Sequence, residues 1–148
     1  MAPVIIVDAY EPKHIKKRLQ ELGAKVIIKD IRGKGDYIVP LGDLEIRIER
    51  KRYRDFFTSL YRNEYENGNP KPNGRSRQLF TQLMNLIDEN TIPILLIEGN
   101  LPYKQKERNI MYGVFCWAIR KGITIVPTKN WIDTAYFIYK LAKKYVER

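Results

Sequence analysis

The sequence has 148 residues, 44% of them hydrophobic and 30% charged, and 27 Lys and Arg against 17 Asp and Glu give a formal charge of +10. That is the size and balance of one folded domain with its own core, and it excludes a disordered or fibrous chain. No apolar run approaches the roughly 20 residues of a membrane span, and a lone cysteine and a lone histidine exclude an internal disulfide and a structural zinc site. The positive excess favours a polyanionic partner, most simply nucleic acid, held through counterion release. The competing reading is a lysine-rich thermophile surface with no partner.

Met1 to Asp8 carries no charged leader and meets an acid after a few apolar residues, so it reads as a first strand, not a signal peptide. The run Val4 to Asp8 suits a strand buried on both faces. Pro12 then opens a helix in which Ile15, Leu19 and Leu22 recur at helical spacing until Gly23 stops it. Val26 to Ile31 reads as a second strand. Arg32 to Gly35 is a glycine-bearing turn into a strand from Asp36 to Val39, and Pro40 to Asp43 a hairpin turn.

From Leu44 to Lys51 the pattern alternates, with Leu44, Ile46 and Ile48 on one face and Glu45, Arg47, Glu49 and Lys51 on the other. Phe56, Phe57 and Leu60 mark a helix. Asn63 to Gly74 has the composition of a loop, and Leu79, Leu83, Leu86 and Ile87 mark another helix. Pro93 to Glu98 is an apolar strand closed by an acid. A polar loop from Pro102 to Asn109 precedes a helix from Ile110 to Lys121, a short strand from Ile123 to Val126, and a last helix from Trp131 to Tyr145. Strands alternating with helices define a single α/β domain, its mixed central sheet flanked by helices on both faces. Cys116 lies in an apolar stretch and is expected to be a buried thiol in a reducing cytoplasm.

The hairpin carries the chemistry. Asp36 starts its first strand and Glu49 and Lys51 end its second, so the turn near Leu41 and Gly42 brings Asp36 beside Glu49. Glu49 and Lys51 share a face, with Arg50 pointing away. Two carboxylates and an ammonium at one sheet end suit magnesium, which takes a few carboxylate oxygens, waters and a substrate's phosphate oxygens. A plain cross-strand ion pair is the competing reading of the same pattern. Asp8 and Glu11 reach the same edge if the first strand neighbours the hairpin, and Asp55 follows near a helix start, where its charge also suits the helix dipole.

Gly35-Asp36-Tyr37, then Glu49-Arg50-Lys51 with Asp55 and Ser59, resembles the signature of XPF-family structure-specific endonucleases. Val7-Asp8-Ala9-Tyr10-Glu11 is similar to that family's first motif, with Tyr10 where an arginine is usual, and Pro93 to Gly99 resembles its P-I-L-L-I-E-G strand. The resemblance implies a restriction-endonuclease-like nuclease fold and a magnesium- or manganese-dependent cut in branched, flap or fork DNA during repair or recombination. It implies Asp36, Glu49 and Asp8 as metal ligands, Lys51 positioning the attacking water, Arg50 and Asp55 completing the site, and Glu11, Ser59 and Gln82 behind it. The family's G-R-x-x-x-Q element is interrupted by the Asn63 to Gly74 loop, leaving Gly74, Arg75 or Arg77, and Gln82 as its remnants.

Arg52, Arg54, Arg62, Lys71, Arg75 and Arg77 crowd around the motif, and Lys104, Lys106 and Arg108 lie in the polar loop, as a track for a DNA backbone. The last two helices are apolar nearly all round, so a homodimer through them is expected, as the family resemblance also implies. These residues contain no helix-hairpin-helix or helicase segment, so DNA binding is expected to fall to this domain, its dimer or a partner chain, unless the sequence is a piece of a longer protein. The expected location is the cytoplasm with the nucleoid, or the nucleus of a eukaryote. Two other readings remain beside the nuclease. One is a catalytically inactive nuclease-fold subunit that binds DNA or scaffolds a partner, and the other a Holliday-junction-resolving nuclease using the same site.

Overall fold

In the computed structural model, residues 1–61, 65–66, 69–70 and 78–146 are described. The chain runs β1 (Val4–Asp8), α1 (Lys13–Leu22), β2 (Lys25–Lys29), β3 (Tyr37–Leu41), β4 (Leu44–Arg52) and α2 (Tyr53–Tyr61). It continues through β5 (Tyr65–Glu66), β6 (Asn69–Pro70), α3 (Gln78–Met84), β7 (Thr91–Glu98), α4 (Gln105–Arg120), β8 (Thr124–Thr128) and α5 (Trp131–Val146). Six strands form one mixed sheet in the order β2-β1-β3-β4-β7-β8, while β5 and β6 pair by themselves inside the stretch expected to be all loop.

The sheet is covered by helices on both faces, and β1, β3 and β7 are apolar at consecutive positions to match. On one face Ile15 and Leu19 of α1 and Ala135, Ile138 and Ala142 of α5 pack on Ile5, Val7, Ile48 and Leu96. On the other, Phe56, Leu79, Leu83, Met111, Val114 and Ala118, from α2, α3 and α4, pack on Leu95 and Ile97. The expected mixed α/β sandwich is the observed one.

Several boundaries differ from the sequence reading. The second strand stops at Lys29, because the Ile31 N–H turns to the Asp8 side chain instead of a ladder. Helix α4 begins at Gln105, inside the expected polar loop, because its polar residues satisfy each other across helical spacings. Gln105 Nε2 donates to Asn109 Oδ1 (3.0 Å) and Arg108 Nη2 to Gln105 Oε1 (3.1 Å). Cys116 is exposed, not buried, since Met111, Val114 and Ala118 form the inward stripe of α4 and turn the thiol outward. The last two helices lie on opposite faces of the sheet, and in their apolar stretches, residues 110–119 and 135–139, Tyr112, Ile119 and Tyr136 stay exposed.

The hairpin is as its sequence suggests. Leu41 pairs with Leu44 across a turn in which Gly42 has φ +76°, and Tyr37 pairs with Ile48, which sets Asp36 opposite Glu49. Gly35 fixes the approach. Its φ of +91° is left-handed, and a Cβ there would sit 2.9 Å from both the Ile48 carbonyl oxygen and Leu86 Cδ2. The Gly35→Ala substitution is therefore expected to destabilise the protein by about 1–3 kcal/mol, the cost of such backbone strain. Chemical denaturation would read the loss, and an unchanged midpoint would contradict the close-approach account.

Candidate active site

The site lies at the carboxyl ends of β4 and β7, where parallel strands expose their last side chains beyond the packed layers. It is an open cleft of about 550 Å³. It is lined by Asp36, Glu49, Lys51, Asp55 and Gln82 together with Glu11, His14, Arg50, Arg52, Glu98 and Trp131.

Asp36 is held at both ends of its residue: its N–H donates to the Ile48 carbonyl (2.7 Å), and its Oδ2 accepts the Arg50 N–H (2.8 Å). Its carboxyl meets that of Glu49, itself only 6% exposed. Burial first, then the charge of Glu49 and the hydrogen bond between the two groups, hold the Asp36 carboxyl well above the usual range. The nearby Lys51 charge and the Arg50 N–H pull in the opposite direction without cancelling this. Two carboxyls, Glu49 buried and Asp36 half-buried, are thus crowded together at the cleft wall.

Arg50 points away from Glu49, as alternation requires, yet still borders the cleft. Its Nε and Nη2 clamp Glu98 Oε1 and Oε2 (2.9 and 2.7 Å), and Nη1 lies 3.8 Å from Glu11 Oε2. Glu98 Oε1 also accepts the Thr134 hydroxyl of α5 (2.6 Å). Thr134 has then used its one proton, so the 2.7 Å contact with Thr128 is a hydrogen bond that Thr128 donates. Burial pushes the Glu98 carboxyl up, but the Arg50 and Thr134 hydrogen bonds and the arginine charges outweigh it, leaving its pKa below the ordinary value.

Glu11 accepts the Tyr37 hydroxyl (2.6 Å), and burial, reinforced by the Asp36 charge, pushes its carboxyl up to about 8. The turn that carries it is pinned by Lys16, whose Nζ donates to the Ala9 carbonyl (2.8 Å).

Of the residues singled out from sequence, Asp36, Glu49, Lys51, Arg50, Asp55, Glu11 and Gln82 meet in this cleft. Asp8 is buried and does not line the cleft; its Oδ1 accepts the Ile31 N–H (3.1 Å), so it braces the strand edge. Asp55 is paired with Arg52 at 2.7 Å. Arg54, Lys104 and Lys106 are exposed, and Lys106 stands on α4 instead of in a loop. Arg62, Lys71, Gly74, Arg75 and Arg77 lie outside the described residues, as does the side chain of Ser59. Sequence reasoning missed Glu98, Thr134, His14 and Trp131. For Glu98 a signal existed, an acid closing a fully apolar strand, the same pattern that drew attention to Asp8.

Among the described residues no three His, Cys, Asp or Glu side chains close into a metal cage. The residues nevertheless fit a hard cation that keeps its waters. Asp36 and Glu49 offer crowded carboxylate oxygens, and Gln82 Oε1 is buried without a hydrogen-bond partner in the same cleft.

A model of the ERCC4 domain matches residues 7–141. The structure of XPF from Aeropyrum pernix superposes with a TM-score of 0.73 at 28% identity, over 99% of this chain and 66% of that one. The same protein in complex with DNA gives 0.72 at 29% identity, over 98% and 66%. MJ1505 of Methanocaldococcus jannaschii, named as an ATP-dependent RNA helicase, is 31% identical over 140 residues, covering 95% of this chain and 15% of that protein. The chain thus spans just under two thirds of the solved relatives and a small part of the curated one. It belongs to the ERCC4-domain family, with the fold of an XPF-type nuclease domain.

The pKa shifts set a pH dependence. Raised carboxyl groups mean that the native state holds protons the unfolded chain has released, so stability falls as pH rises through that interval. For Glu11 the window runs from 4.5 to about 8, and Asp36 acts in the same direction. In EDTA the protein should therefore melt at lower temperature at pH 8 than at pH 5. Asp36→Asn should weaken that dependence and raise the melting temperature at pH 8. A variant less stable than wild type there would refute the crowded-carboxyl account.

Proposed function

We propose that this chain is a magnesium-dependent endonuclease that hydrolyses a phosphodiester bond in branched DNA, with flap and fork junctions as its substrates. The observation that carries the reading is the Asp36–Glu49 pair, two carboxyls pressed together with Lys51 in the same cleft. Such crowding destabilises the metal-free state and is relieved by a divalent cation. Asp36 and Glu49 would hold the ion, with the Gln82 oxygen facing it or one of its waters. Bound there, magnesium or manganese supplies an acidified water and neutralises charge on the phosphoryl oxygens.

The chain's own residues do the rest. Lys51, two residues after Glu49 on the same strand face, orients the attacking water and counters charge in the transition state. Arg50 holds Asp36 through its backbone N–H, and its guanidinium, braced by Glu98, gives the cleft a fixed positive wall. Arg52 lines the cleft, and the exposed Arg54, Lys104 and Lys106 are further cations suited to DNA phosphates. The formal charge of +10 and the DNA bound by the A. pernix relative support a DNA partner.

Tyr112 and Ile119 on α4, exposed at 47% and 62%, suit a homodimer contact beside the sheet edge. Among the described residues no helix is long and apolar enough to cross a membrane.

End-labelled flap, fork, four-way-junction and plain duplex DNA, with magnesium, manganese or EDTA, test the reading. Wild type should cut the flap or fork only with a metal ion, and Asp36→Asn and Lys51→Ala should each lower kcat by about 10²–10³-fold, as for loss of one electrostatic contact in other enzymes. A wild type that cuts nothing removes the enzyme reading, variants of full activity remove the site, and preferential cutting of four-way junctions changes the substrate.

A further inference from the structure

We propose that His14 and Trp131 form an aromatic subsite of the cleft that takes an unpaired nucleobase flanking the scissile phosphate. The proposal rests on the nuclease reading and adds to it a base-binding wall. His14 stands in the first turn of α1 and Trp131 is the first residue of α5, so the subsite is assembled by two helices far apart in sequence. Their rings meet with centroids 4.6 Å apart at 70°. Both line the cleft that contains Asp36, Glu49 and Lys51.

The two walls differ in chemistry. The β3–β4 side presents carboxyls and an ammonium, which suit a phosphate and a cation. The α1–α5 side adds the two flat rings of His14 and Trp131 beside Glu11 and the Arg50–Glu98 pair. A cleft of about 550 Å³ is within the range, about 300–1,000 Å³, that holds a whole drug-sized ligand. A phosphodiester and a hydrated ion leave room for the attached nucleoside. Trp131 is half-buried and backed by the core, so its ring is set before any ligand arrives, and His14 is exposed beside it. Preset aromatic surfaces are what bases stack upon, without preference of sequence.

Pairing state follows from the same geometry. In a duplex both faces of each base are covered by neighbours, so a ring at the cleft wall has nothing to stack on. An unpaired nucleotide at a junction offers a free face. His14 and Trp131 therefore favour a single-stranded nucleotide on one side of the cut, whatever its base.

The test measures binding and cutting separately. Fluorescently labelled flap DNA is titrated with the protein in calcium, used in place of magnesium to hold the complex without cleavage, and cutting is then followed in magnesium. Each substrate is made intact and with an abasic nucleotide at successive positions around the cut. At one position, base removal should weaken binding by roughly 5- to 150-fold, the range for one base stacked on an aromatic side chain. Trp131→Leu should cost the same on intact DNA and nothing further on that abasic DNA, while Trp131→Phe restores most of the affinity. His14→Ala, on an exposed position, should show a smaller loss with the same dependence on the base, and it serves if Trp131→Leu does not fold.

Losses that simply multiply, or no loss in either variant, overturn the subsite. A protein that binds with the base-dependent pattern but cuts nothing leaves the subsite standing and overturns the nuclease reading alone.

Discussion

Asp36 and Glu49 are carboxyls that would repel each other if both were ionised, and the fold presses them together at the wall of the cleft, Glu49 buried and Asp36 half-buried. That arrangement is unfavourable in itself, and it persists because the β3–β4 register fixes it on both sides. Tyr37 pairs with Ile48, the Asp36 N–H is bound to the Ile48 carbonyl, and Gly35 lets the chain lie against β4 where no side chain would fit. The surrounding core, closed on both faces of the sheet, supplies the stability that a strained site draws upon. Lys51 and the Arg50 N–H lessen the repulsion without removing it.

The other side of β4 answers this crowding with a fully paired network. Alternation sends Arg50 through the sheet, where Glu98 clamps it with two hydrogen bonds while itself held by Thr134, which Thr128 supports. A buried ion pair of this kind is no strong source of net stability, since desolvation offsets much of its attraction. Its effect is geometric. It ties β4, β7, β8 and α5 to one guanidinium, so the last helix helps set the site although no residue of α5 sits among the metal-binding candidates. The first residue of that helix, Trp131, borders the same cleft, so the network that fixes Arg50 also fixes the start of the aromatic wall.

Much of this was legible locally. The alternation from Leu44 to Lys51 correctly puts Ile46 and Ile48 in the core, though Leu44 at the hairpin end is exposed, and the turn at Gly42 correctly pairs Asp36 with Glu49. Boundaries failed where polar side-chain contacts, distant along the chain in one case and local in the other, decided them. Ile31 left its strand for the Asp8 carboxylate, and α4 started early because its polar residues bond one another. Cys116 was misjudged because composition gives a helix's apolar content and not the direction in which each residue turns.

The sequence by itself determined the sheet-and-helix alternation, the hairpin and the motif within it, because all of these follow from periods of two and 3.6 residues and from glycine at a few turns. Only the tertiary structure decided which other groups join Asp36, Glu49 and Lys51. Strand order brought Glu11 and Glu98 to the cleft and left Asp8 bracing a neighbouring backbone, and the packing of α1 against α5 set His14 on Trp131. The reason is that side chains far apart along the chain meet only through the order of strands and the seating of helices, which no short window of residues encodes.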